Sequence, residues 1–144
     1  MWKKILVAIV ILFISIISPV IATTNRGTIQ GSLSYPSDYL PSLIICAQNT
    51  QNTNSKYCLQ SKLQQRQYSI QVPSGQYYVF ASDIALEGTK NFYAVTGFYS
   101  RLVTCGLNNK CKDHTPIAVT VKAGQVVNNI DPKDFYGKLS QGCS

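Results

Sequence analysis

The chain has 144 residues, of which 45% are hydrophobic and 13% charged, and 13 basic residues against 6 acidic ones give a formal net charge of +7. This length fits one compact domain and excludes two, and a domain of this size buries enough surface for a hydrophobic core. The basic residues are scattered rather than gathered in a strip with aromatic residues. That distribution argues against nucleic-acid binding and allows only a weak attraction to an acidic envelope or glycan.

The first 22 residues have the organisation of a secretory signal peptide. Lys3 and Lys4 precede a nearly unbroken apolar run over residues 5–17, and small residues end the segment at Ala22. We predict cleavage after residue 22, one β-sandwich domain over 23–144, and a net charge of +5 once the two lysines are removed. The rival interpretation is an uncleaved membrane anchor, because residues 5–22 are nearly long enough to cross a bilayer. Under both interpretations the domain is exported, to the periplasm or the extracellular space.

The rest of the chain consists of short segments in which apolar and polar residues alternate, separated by glycine, proline, asparagine and serine. The pattern predicts an all-β fold, a seven- to eight-stranded antiparallel Greek-key β-sandwich. Segment 43–47 is apolar on both faces, which predicts a central strand. No window after the leader has a helical period. The predicted strands cover residues 28–35, 43–47, 57–59, 68–72, 76–81, 91–95 together with 98–104, 117–121 and 126–130.

Five cysteines follow the leader, and in an exported protein thiols at this density usually pair. Cys105 and Cys111 bracket a turn-forming stretch, while Cys46 and Cys58 flank a polar segment that is typical of a hairpin loop. We predict these two disulfides, each stabilising the fold by roughly 2 to 3 kcal/mol. Cys143 is then a free thiol or the link in a disulfide-bonded dimer. Because the chain has one histidine and no close cysteine pair, we predict no metal and no cofactor.

The sequence predicts the type of one turn and the contact made by the tyrosine that follows it. Pro73 and Gly75 stand at the second and fourth places of a type I turn, and the next strand follows at once. Tyr77 then points inward, where its hydroxyl can reach the backbone, as in the tyrosine corner of sandwich folds. Tyr35 and Tyr68 are also expected in the core.

Four segments carry a resemblance to a known family: residues 27–33, 40–47, 68–81 and 117–125, in this order. They resemble the carboxypeptidase regulatory-like domains, which are transthyretin-like, prealbumin-type β-sandwiches that also include the Cna B-type repeats of bacterial surface proteins. The resemblance extends over residues 27–130 and implies the sandwich fold. Hydrolases and dioxygenases of similar architecture need several histidines, whereas this chain has only one.

The sequence contains no recognisable catalytic arrangement. Asp113 and His114 are adjacent, so on a strand they would face opposite sides and would not orient one another. We therefore interpret His114 as a loop histidine. Asp131 and Asp134 are the only acidic residues close together, and they flank Pro132 in a predicted turn.

Nine tyrosines and several basic residues leave binding as the favoured function. We predict an exported, non-enzymatic module that binds an unknown protein or glycan of the cell envelope, or serves as an envelope accessory. The alternatives are inhibition of an exported hydrolase through the Cys105 to Cys111 loop, or an enzyme that uses Cys143 or His114. Nucleic acid is not expected as a partner, and a membrane only if the leader stays uncleaved. The candidate binding residues are Tyr93, Phe98, Tyr99, Arg101, Lys110 and Lys112.

Overall fold

A computed structural model describes residues 25–83 and 95–136, which form an all-β sandwich of two sheets. Each long strand has the alternating burial that its sequence predicts, because successive side chains point to opposite faces. The elements are β1 (Arg26–Ser32), β2 (Leu43–Asn49), β3 (Lys56–Gln60), β4 (Gln67–Pro73), β5 (Gly75–Asp83), β6 (Thr96–Phe98), α1 (Arg101–Thr104), β7 (Val119–Val121) and β8 (Val126–Val127).

The two sheets have three and five strands. The first has the order β4-β1-β8, and the second has the order β3-β2-β5-β6, with β7 also paired to β5. Strand β2 lies between β3 and β5, so its central position is confirmed. Strands β6 and β7 share one edge of β5, since β6 pairs with Phe80 to Ser82 and β7 with Gly75 to Tyr77.

The hydrophobic core lies between the inner faces of the two sheets. Both sheets contribute fully buried side chains, such as Ile29 from β1 and Val79 from β5. Tyr68 and Tyr77 belong to this core, whereas Tyr35 is partly buried and packs against its border. The Tyr77 hydroxyl donates to the Pro73 carbonyl oxygen at 2.8 Å, which is the corner contact predicted from the sequence.

Both predicted disulfides are present, Cys46 with Cys58 and Cys105 with Cys111. The first joins β2 to β3 at directly opposed positions of the ladder. The second closes the loop that follows α1. Disulfides are typical of an oxidising, exported environment. Within the described ranges, no helix is long and apolar enough to cross a membrane. The predicted leader, residues 1–22, lies outside the described residues.

Three local predictions are corrected by the structure. A strand was expected over residues 98–104, but the chain leaves β6 after Phe98 and forms the four-residue helix α1. The last strand was expected over residues 126–130 and is only Val126–Val127, because Asn129 takes a left-handed conformation with φ of 62°. This strand also pairs with β1 in a parallel direction, so the sandwich is not antiparallel throughout.

Candidate functional site

A buried carboxylate, that of Asp134, organises the surface region beside β6 through hydrogen bonds to three residues. Asp134 pairs with Phe98 through two backbone hydrogen bonds of 3.0 Å, which place its segment along the outer edge of β6. The Asp134 side chain is 0% exposed and accepts a hydrogen bond of 2.6 Å from the Ser100 hydroxyl, which is also 0% exposed. The backbone N–H of Tyr136 donates to the same carboxylate at 3.2 Å.

His114 is the third partner of this carboxylate. Its Nδ1 lies 2.9 Å from both Asp134 oxygens. Residues 115–117 run beside residues 99–101, joined by hydrogen bonds from Arg101 to Thr115 and from Ile117 to Tyr99, and this pairing carries His114 to Asp134. The His114 side chain is 37% exposed. Because Nδ1 faces the carboxylate, Nε2 is the nitrogen that remains for a ligand.

The arrangement orients an imidazole but provides no nucleophile beside it. In a nucleophilic triad the histidine lies between the hydroxyl and the carboxylate. Here the Ser100 hydroxyl donates directly to Asp134, and both groups are buried behind the histidine. In the described part of the chain, no three histidine, cysteine or acidic side chains come together as a metal site would require.

The loop closed by Cys105 and Cys111 is held by several backbone hydrogen bonds. Gly106 donates to the Val103 carbonyl at 2.9 Å, and Leu107 donates to the Leu102 carbonyl at 3.0 Å. Leu107 takes a left-handed conformation with φ of 54°, which a branched residue rarely adopts, and its side chain is 47% exposed. The disulfide and these bonds therefore hold an apolar side chain out in solvent.

This loop, together with His114 and Tyr136, lines a shallow groove of about 320 Å³, which we call the disulfide-loop groove. Of its large apolar side chains the most exposed is Tyr136, at 72%. Large apolar side chains exposed on a rigid frame are the usual material of protein recognition surfaces. The groove is lined by Leu102, Leu107, Asn108, Asn109, Cys111, Lys112, His114 and Tyr136.

The charge around the disulfide-loop groove is mainly positive. Lys110 and Lys112 are on the same loop, and both are exposed. Asp113 is the nearby exposed acid, and it is engaged by Arg101 at 3.5 Å. The pKa of Asp113 lies below its usual value because the Thr115 side chain and backbone N–H hydrogen bond to its carboxylate, and Arg101 adds to the effect.

Of the six candidate binding residues predicted from the sequence, three lie in or beside the disulfide-loop groove. Lys112 lines the groove, and Lys110 and Arg101 are exposed beside it. Phe98 is buried against Phe80, and Tyr99 is half-buried against the core, so neither presents a free ring. Tyr93 and Cys143 lie outside the described residues.

Sequence reasoning missed the residues that organise the groove. The interpretation of His114 as a loop histidine without an acidic partner was incomplete, because its partner lies 20 positions away. Ser100 and Asp134 meet across 34 positions, and Tyr136 reaches the groove through the same pairing. No local sequence motif indicates such contacts. The only signal in the sequence is the close spacing of Asp131 and Asp134.

A second cavity, of about 650 Å³, lies on the outer face of the first sheet, and we call it the polar groove. Asp131 is the only ionisable side chain of its rim, apart from the buried phenol of Tyr68. Burial raises the pKa of Asp131, but hydrogen bonds from the Ser32 N–H and from Lys133 outweigh it and lower the pKa overall. The polar groove is lined by Gln30, Gly31, Ser32, Gln65, Gln67, Tyr68, Ser69, Asn128, Asn129 and Asp131.

Comparison with known proteins adds no relative: no family model, no curated protein and no solved structure matches the chain.

Proposed function

We propose that the protein is an exported, non-enzymatic binding module that recognises another protein through the disulfide-loop groove. The observation that carries the proposal is the pair of exposed side chains at its two sides, Leu107 and Tyr136. Both are attached to backbone that is held in place, by the Cys105 to Cys111 disulfide and by the Asp134 carboxylate respectively. Little conformational entropy is lost when such side chains bind, which favours affinity.

The proposal includes the resemblance to carboxypeptidase regulatory-like domains, which accounts for the sandwich. In this interpretation the sandwich is the scaffold, and the disulfide loop, absent from the ordinary domain, is the added recognition element. Release to the periplasm or medium, membrane tethering, and a dimer linked through Cys143 stay predictions.

The proposal is tested by capture of a partner from the envelope fraction of the producing organism with immobilised protein. Leu107→Asn and Tyr136→Ala should each weaken capture at least about tenfold, the loss typical of a buried contact residue. Asn is chosen at position 107 because it tolerates the left-handed conformation. Leu63→Asn and Tyr39→Ala are the matched controls, since Leu63 and Tyr39 are also exposed, at 56% and 58%, and lie outside the groove.

Capture that survives both groove variants would contradict the proposal. If the captured partner is a hydrolase, and the wild-type protein blocks its activity while Leu107→Asn does not, the module is an inhibitor acting through the Cys105 to Cys111 loop.

The polar groove favours glycan binding as a second candidate function. Its side-chain amides and hydroxyls match the hydrogen-bonding groups of a neutral sugar chain, and Lys133 neutralises its one carboxylate at 3.0 Å. Chitohexaose and cellohexaose are suitable probes for an NMR titration. Binding should be lost in Gln67→Ala and kept in Gln71→Ala, an exposed glutamine of the same strand outside the groove. A titration without shifts at Gln67 would remove this candidate.

A further inference from the structure

We propose that the disulfide-loop groove recognises an acidic segment of the partner protein, with one carboxylate bound at Nε2 of His114 and a neighbouring apolar side chain against Leu107. The inference rests on the proposed function and specifies the chemistry of the partner.

The first step concerns the charge of Asp134. A carboxylate that is removed from water needs a partner of opposite charge or several hydrogen bonds. Ser100 and the Tyr136 N–H supply neutral hydrogen bonds, and among the described residues His114 is the only side chain in contact that can carry a positive charge. When both ring nitrogens of His114 carry a proton, the ring balances the charge of Asp134, and its Nε2–H is a donor on the side of the ring opposite Nδ1.

The second step concerns the charged groups around that donor. Lys112 lines the same groove, and Lys110 lies two residues before it in the loop. Asp113 is the acid nearest in sequence, and its charge is offset by Arg101 and engaged by Thr115. The groove therefore presents positive charge, which attracts a carboxylate and disfavours a basic segment.

The third step explains why the carboxylate belongs to a peptide. Leu102, Leu107 and Tyr136 give the groove apolar and aromatic walls. A sugar acid can stack on Tyr136, but it has no apolar side chain to place against Leu102 and Leu107. An acidic side chain next to leucine or a similar residue fits both features, because it places a charge-assisted hydrogen bond beside apolar burial.

The test uses two synthetic peptides that differ only in charge, acetyl-Ala-Leu-Glu-Leu-Ala-amide and the same peptide with glutamine in place of glutamate. Two-dimensional NMR of the whole exported chain follows the backbone resonances of Leu107, Lys112 and Tyr136 and the imidazole of His114. We expect the glutamate peptide to bind at least about tenfold more tightly than the glutamine peptide, since the charge-assisted bond contributes 1.4 kcal/mol or more.

Lys112→Gln is the first variant, since it changes an exposed side chain and leaves the buried carboxylate intact. It should reduce the preference for glutamate, while Lys62→Gln, an exposed lysine outside the groove, should leave it unchanged. The double variant His114→Gln, Asp134→Asn replaces both ionisable side chains by neutral amides, which have the donors and acceptors to hydrogen bond to each other. It should abolish the preference.

Equal binding of the two peptides would overturn the inference, as would a preference that persists in the double variant. Groove shifts with a hyaluronan hexasaccharide but none with the glutamate peptide would overturn it in favour of an acidic glycan. The proposed function is unaffected by these outcomes if Leu107→Asn and Tyr136→Ala weaken partner capture as expected. If those variants do not, the groove is not the binding surface and the proposed function itself fails.

Discussion

Replacing Asp134 by alanine should lower the free energy of unfolding by about 3 kcal/mol. The change leaves the Ser100 hydroxyl buried without its acceptor and removes the charge that pairs with His114. Urea unfolding followed by far-ultraviolet circular dichroism measures the loss. Asp38→Ala is the matched control, because Asp38 is exposed, and it should change the stability by less than about 0.5 kcal/mol.

The double variant His114→Gln, Asp134→Asn tests whether the stability lost in Asp134→Ala depends on the charge of Asp134 or on its hydrogen bonds. It should recover a large part of the stability, since replacing both members of a hydrogen-bonded pair by neutral side chains costs less than leaving one buried member without its partner. An Asp134→Ala variant as stable as the wild type would mean that Asp134 does not organise this region, and the geometry of the disulfide-loop groove would need another explanation.

Replacing Gly31 by alanine should also lower the free energy of unfolding by about 3 kcal/mol. A Cβ atom at this position would overlap the Ile130 carbonyl oxygen, and it would lie 2.9 Å from the Tyr68 ring. The obstruction is backbone, which cannot rotate away, because Ile130 is held to β1 by a hydrogen bond of 3.0 Å to the Gln30 carbonyl. Relief of the overlap requires separation of β1 from the segment after β8.

Gly75→Ala is the comparison for this change. Its Cβ would meet the side chains of Asn49 and Tyr77 at 3.2 Å or more, so small side-chain shifts suffice and the loss should stay below about 1 kcal/mol. Both variants are measured by urea unfolding. Equal stabilities of the two variants would show that the close approach of Ile130 to β1 does not constrain the fold.

The sequence was most informative where neighbouring residues carry the signal. Alternating burial in β4 and β5 follows directly from alternating apolar residues, and the turn at Pro73 places Tyr77 as expected. The Cys105 to Cys111 disulfide was predictable because a short turn-forming stretch brings its ends together. Helix α1 was not predicted, because four residues are too few to establish a helical period.

The sequence by itself determined the all-β class, the pairing of four cysteines and the tyrosine corner, because each follows from side-chain alternation or short-range chain geometry. Only the tertiary structure decided that Ser100, His114 and Asp134 share one hydrogen-bonded cluster. These residues lie in three segments that meet through backbone pairing beside β6, and such long-range pairing depends on the whole sheet rather than on any local motif. The structure therefore favours the groove between the disulfide loop and Tyr136 as the binding surface, rather than the tyrosines of the predicted strand.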